Sequence, residues 1–414
     1  NNLFPKRGTM MKKFLTIAAT LTAFVAVPMI GFAACDFKPS SKVSLLANSF
    51  AAWKAVSDAM GECGNFEAEL DSEFQNKQPD AFAANPALYQ LGGVSNGSIE
   101  PMLAAGTIRP LDDLVAKYGK HLQPNQLVRI NGKIMAIAMM VNNQHLMYRE
   151  DIFSQLGIDA PTNHYELMAA ADKVAAAGTV DYALGGTFKA GWNLAEEFVR
   201  VYMGLGGEFF DGNQPAINNP IGHRTLEMLK DMTNYMDPEY LVADSTYVQQ
   251  QFQQGKIAMA VLWATRAAAM DDAKESTVVG KIKMAAAPAT TAGSLPASTL
   301  WWDGVVLATN MSDQQAEDSF QLLMEGIDTD MVTKNNDAAV WLIKGFKPGP
   351  MAMGAAATAE NGALPYPNGM QMGLMHTALG NNVADFLTGK ETAEQTLNDT
   401  AAEYTTAAKE KGLL

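Results

Sequence analysis

The stretch from residue 131 to 148 constrains the fold more than any other. It reads Asn-Gly-Lys-Ile-Met-Ala-Ile-Ala-Met-Met-Val-Asn-Asn-Gln-His-Leu-Met-Tyr. Asn131-Gly132 is a turn dipeptide, and the apolar run behind it has the character of a buried strand. Asn142 and Asn143 then interrupt the run before a second apolar piece that ends at Tyr148. Two adjacent amides between buried segments cost free energy unless something hydrogen-bonds them. The stretch therefore predicts a strand, a polar break with partners of its own, and more apolar chain beyond it.

Short apolar runs at 43–47, 182–184, 257–263, 282–288 and 305–308, and the alternating stretch 66–70, read as further strands. Helical patterns lie between them. One covers 51–60, with Ser49 placed to cap it. Asn163 with Glu166, Ser312 with Gln315, and Thr392 with Gln395 have the spacing of capping boxes. Leu397, Ala401, Tyr404 and Ala408 form an apolar stripe on the last helix. Strands alternating with helices give an α/β class. Residues 91–97, Leu-Gly-Gly-Val-Ser-Asn-Gly, read as a strand-to-helix loop and lack the spacing of a phosphate-binding motif.

Residues 1–33 are set aside as upstream sequence and a secretory signal peptide. Met10 or Met11 starts it, Lys12-Lys13 supplies the positive charge, residues 14–27 the apolar region and Gly31-Phe32-Ala33 the cleavage site. Without that segment the chain keeps 26 Lys and Arg against 44 Asp and Glu, a net charge of about −18. So acidic a chain repels phosphate backbones, which argues against nucleic-acid binding. An even cysteine count in an exported chain predicts a disulfide between Cys35 and Cys63; the alternative makes Cys35 a lipidated lipoprotein cysteine. His121, His145, His164, His223 and His376 are scattered, so no metal and no cofactor is expected.

Several segments, in order, resemble the extracellular solute-binding proteins of ABC importers, the type that includes maltose- and glucose-binding proteins. Asn131-Gly-Lys with Leu146-Met-Tyr-Arg-Glu-Asp-Ile-Phe resembles that family's crossover. Residues 157–167 resemble its Pro-Thr segment, Phe252-Gln-Gln-Gly-Lys-Ile-Ala-Met its "GKAAM" segment, and Gly389-Lys to Leu397 the start of its last helix. The family often has Pro in the crossover strand, where this chain has Ala138-Met139. The resemblance implies a two-lobed periplasmic-binding-protein fold, each lobe a mixed sheet flanked by helices and joined by a crossing hinge. Lobe one would be 34–139 plus 288–325; lobe two would be 140–287 plus 326–414. It also implies a periplasmic monomer that is not an enzyme. Such a protein holds a mono- or oligosaccharide between its lobes and delivers it to the importer's membrane subunits. A polyol, a glycerol phosphate ester or a compatible solute is the alternative ligand, and a secreted glycoside hydrolase the remote alternative.

A sugar offers apolar faces to aromatic rings and hydroxyls to carboxylates, amides and cations. On that chemistry the candidate ligand residues are Trp302 and Asp303 with Trp301, Trp263 with Arg266, and Trp192 with Lys189. Asn142 and Asn143 at the break, and Asn48 with Trp53 after the first strand, complete the set. Tyr366, between two prolines, is expected at the rim.

Overall fold

The computed structural model describes residues 35 and 37–414, and the expected signal segment lies outside them. The strands among these residues are β1 (Val43–Ala47), β2 (Phe66–Leu70), β3 (Leu91–Ser95), β4 (Leu127–Ile130), β5 (Lys133–Asn142), β6 (Gln144–Arg149) and β7 (Tyr182–Gly185). They continue with β8 (Phe210–Asp211), β9 (Gln214–Pro215), β10 (Ile257–Trp263), β11 (Ile282–Ala285), β12 (Thr299–Leu307), β13 (Val340–Trp341) and β14 (Leu364–Pro365). The larger sheet runs β13-β5-β12-β3-β1-β2, with β4 on β5 and β14 on β12; the smaller runs β11-β6-β10-β7. Each mixes parallel and antiparallel pairs. The fold class expected from the sequence is the one observed.

Each sheet has its own core. Val43, Leu45, Trp53, Met60, Ile137 and Phe320 are buried on the larger sheet. Leu146, Leu184, Phe198, Leu226 and Leu379 are buried against the smaller one. Ile327, Met331, Val332 and Trp341 pack with the first group, and β13 pairs with β5, so the chain leaves the larger sheet well after residue 326. No helix among the described residues is long and apolar enough to cross a membrane.

The crossing between sheets is one residue long. β5 stays in the larger sheet through Asn142, which pairs with Trp301; β6 opens in the smaller sheet at Gln144, which pairs with Trp263. The break thus falls a few residues beyond Met139, because β12 and β13 hold β5 that far. Each amide of the break has one partner, while Asn143 Oδ1 is buried without one among the described residues. Asn142 Oδ1 accepts from the Thr265 amide at 3.4 Å, and Asn143 Nδ2 donates to Ala355 O at 3.0 Å.

Three local expectations need correction. The glycine-rich 91–97 stretch is mostly strand, as β3 is buried along its length. Its glycines make room: a Cβ on Gly92 would lie 2.6 Å from Phe82, and one on Gly93 would lie 2.6 Å from the Ala47 Cβ and 2.7 Å from Trp53. Ser49 does not cap the first helix; Phe50 occupies the cap position without a side-chain bond. Trp301 and Trp302 lie inside β12 rather than ahead of it, because β5 extends far enough to pair with them. The Thr392–Gln395 capping box forms with both of its bonds. Cys35 and Cys63 form a disulfide that ties the start of the described chain to the end of the first helix.

Candidate functional site

Aromatic rings gather beside the crossing. Trp192 opens the helix Trp192–Gly204, and Gly191 before it has φ 97°, a left-handed angle that suits glycine. Trp192 is 41% exposed, whereas Trp263 and Trp301 are buried. Its ring centroid lies 6.3 Å from Trp263, 5.6 Å from Trp301 and 4.9 Å from His376. Tyr366 stacks on Trp301 at 4.2 Å. Gly97 completes the packing, since a Cβ there would lie 2.6 Å from the Trp301 ring.

Hydrogen bonds fix the back of this cluster. His376 Nε2 lies 3.0 Å from Trp192 O, an acceptor only, so Nε2 carries the proton. Nδ1 then accepts from the Tyr366 hydroxyl at 2.8 Å. Burial holds His376 neutral, with its pKa lowered to about 4. Tyr366 is thus buried behind the rings rather than at a rim.

Asp303 is the unusual charge. It sits in β12 opposite Ser95 and Met140, and solvent reaches it only in part. Among the described residues no group bonds its carboxyl, and burial raises its pKa to about 7. A half-buried carboxyl without a partner, two residues along β12 from Trp301, can accept hydrogen bonds from a ligand. Trp302 turns to the other face of β12 and packs against the cluster that contains Phe82, Val94 and Ile99, so it lies apart from the other rings. Its backbone amide donates to Asn96 Oδ1 at 3.3 Å.

The remaining candidates are spread out. Arg266 is half-buried and donates to Ser245 Oγ at 2.9 Å and Gln249 Oε1 at 3.3 Å, with the Asp244 carboxylate acting on it through space. Lys189 is exposed and lies 3.5 Å from Asp244. Trp53 is buried against Gly93, in the core of the larger sheet, with its Nε1 unbonded. Asn48 accepts from the Ser49 amide at 2.7 Å in the β1 to helix loop.

Sequence reasoning missed a buried polar group beneath the rings. Glu196 Oε1 accepts from Gln144 Nε2 at 2.8 Å and from the Thr299 hydroxyl. Trp301 Nε1 donates to Thr299 Oγ1 at 2.8 Å. Burial pushes the Glu196 carboxyl up to about 7. The available signal was Glu196-Glu197 inside an otherwise apolar helix, where an acid needs a partner.

Two mixed-sheet lobes joined by crossing strands, with rings and an unpaired carboxyl at the crossing, define a two-lobed binding protein. The chain belongs to the bacterial extracellular solute-binding proteins, whose family model matches residues 70–303. A probable ABC transporter-binding protein of Deinococcus radiodurans is 25% identical over 337 residues, 76% of this chain and 77% of that one. The structure resembles an ABC transporter solute-binding protein of Agrobacterium radiobacter K84 in complex with ribitol. The TM-score is 0.77 at 20% identity, over 90% of this chain and 100% of that one. It also resembles maltose-bound MalE3 of T. maritima, with a TM-score of 0.77 at 17% identity, over 89% of this chain and 100% of that one.

Proposed function

We propose that the protein binds a mono- or oligosaccharide between its lobes, without turnover, and hands it to the membrane subunits of an ABC importer. The observation that carries this reading is Trp192, an exposed ring backed by Trp263 and Trp301 at the crossing. A ring held in that way offers a flat apolar surface to the C–H face of a sugar at little entropic cost. The unpaired Asp303 carboxyl supplies an acceptor for hydroxyls. A polyol is the second reading, favoured by the ribitol and D-mannitol complexes of two structural relatives. On this reading the chain is exported by its first 33 residues and acts as a monomer. The larger sheet with the residues up to about 142, and again 299–343, forms one lobe; the smaller sheet with the last helices forms the other.

Thermal melts against a panel of sugars and polyols test the reading, because a ligand that binds only the folded state raises Tm by mass action. A shift from a sugar or polyol, with the ligand recovered unchanged, supports it. Shifts from another ligand class alone, or release of reducing ends from an oligosaccharide, overturn it.

A further inference from the structure

We propose that Glu196 and Thr299 are positioning residues for the binding site: through them, one buried carboxyl group sets the angle of the Trp301 ring and clamps the starts of β6 and β12 to the helix that carries Trp192. The inference rests on the carbohydrate reading only for its affinity readout.

The geometry is a directed chain. Thr299 Oγ1 has one proton, and its shorter contact is with Glu196 Oε1 rather than with Gln144 Oε1 at 3.3 Å, so the oxygen is left to accept from Trp301 Nε1 at 2.8 Å. Gln144 is oriented by the same group. Its Nε2 donates to Glu196 Oε1 at 2.8 Å, its Oε1 accepts from the Thr299 amide at 3.0 Å, and its backbone carbonyl accepts from Ser298 Oγ at 2.7 Å. Each member has a topological role. Gln144 is the first residue of β6 after the crossing, Thr299 is the first residue of β12, and Glu196 lies one turn into the helix that begins at Trp192. All of them are buried. None of the three needs to touch ligand for its loss to be felt there, because Trp301 packs on Trp192, Trp263 and Tyr366. A buried network whose members orient one another also resists partial disruption.

The test compares four variants of the full chain, Thr299→Val, Thr299→Ser, Glu196→Gln and Glu196→Leu, with two readouts. The first is the Trp301 indole N–H resonance of ligand-free, 15N-tryptophan-labelled protein, assigned with Trp301→Phe. The second is affinity for the best sugar or polyol of the panel, by calorimetry. Thr299→Val is expected to shift the Trp301 indole resonance upfield and to weaken binding roughly tenfold, the size expected for one buried hydrogen bond. Thr299→Ser restores both. Glu196→Gln stays near wild type because its amide oxygen can take the same two donors, whereas Glu196→Leu behaves like Thr299→Val. An unmoved indole resonance, or wild-type affinity in Thr299→Val, overturns the proposal. If Thr299→Val does not fold, the contrast of Thr299→Ser and Glu196→Gln with wild type decides it: loss of the Trp301 resonance position in both, despite the retained bonds, refutes the relay. If no sugar or polyol binds the wild type, the carbohydrate reading fails while the indole readout still judges the relay.

Discussion

Trp263 and Trp301 face each other across the crossing, one from each sheet. Trp263 pairs with Gln144 and Trp301 with Asn142, and their rings meet edge to face with centroids 6.0 Å apart. The contact therefore spans the joint between the lobes as well as lining the candidate site. Any tilt of one sheet against the other changes it, so intrinsic tryptophan fluorescence is expected to report ligand-driven closure, the motion known for periplasmic binding proteins as a class.

Trp192→Ala is expected to weaken sugar or polyol binding by ten- to a hundredfold, about 1.4–2.8 kcal/mol. The ring is 41% exposed, so folding stability should fall by roughly 1–2 kcal/mol, less than for a fully buried Trp. Calorimetric titration beside a thermal melt checks the pair of outcomes. A large loss of Tm with unchanged affinity would return Trp192 to a packing role.

Asp303 predicts a pH-dependent stability difference. Its folded pKa, about 7, lies above the unfolded value near 3.8, so the folded state holds the proton more tightly. Its contribution is complete below about pH 4 and is lost as pH rises through 7. Asp303→Asn has no such loss. The variant should match wild type near pH 4 and exceed it at pH 8 by on the order of 2 kcal/mol, allowing for partial solvent contact. His145, His164 and His376, whose pKa values burial lowers to about 4, weaken both proteins as pH falls below 6.5 and cancel in the comparison. A Tm difference that does not vary with pH would contradict the assignment.

Gly97→Ala should disturb the site more than the fold. The new Cβ would lie 2.6 Å from the Trp301 ring, inside contact distance, so the ring must shift. Weaker ligand binding with an altered near-UV circular dichroism spectrum is the expected result. Wild-type affinity would show that the ring yields without consequence.

Reduction of the Cys35–Cys63 disulfide, or Cys63→Ser, should lower stability by roughly 2–4 kcal/mol while leaving sugar affinity within about twofold, because the bridge lies at the first helix of the larger sheet. Parallel melts and titrations with and without reductant check this.

The elements that read clearly from sequence are those whose own residues dictate them. The unbroken apolar run of β10 and the Thr392 box at the last helix are local signals, and both form where expected. β3 did not read as a strand because the need for Gly92 and Gly93 is tertiary, set by Phe82 and Trp53 from other segments. The tryptophans stood out by residue type, yet type does not say which way a ring turns. Trp301 and Trp302 are adjacent in β12 and so take opposite faces, and Trp301 alone joins the cluster. His376 and Thr299 carried no local mark, since their roles exist only once distant helices and strands meet.

A single residue, Asn143, separates β5 from β6, and both its backbone and its side chain are tethered, by Ala264 and Ala355. So short a link leaves the chain little slack at this point, because one residue supplies only two soft dihedrals, and rotation rather than sliding is the expected motion. Displacement then grows with the lever arm from the pivot. If the lobes close on a ligand as proposed, a small ligand seated close to Asn143 and a long one reaching outward would arrest that rotation at different angles.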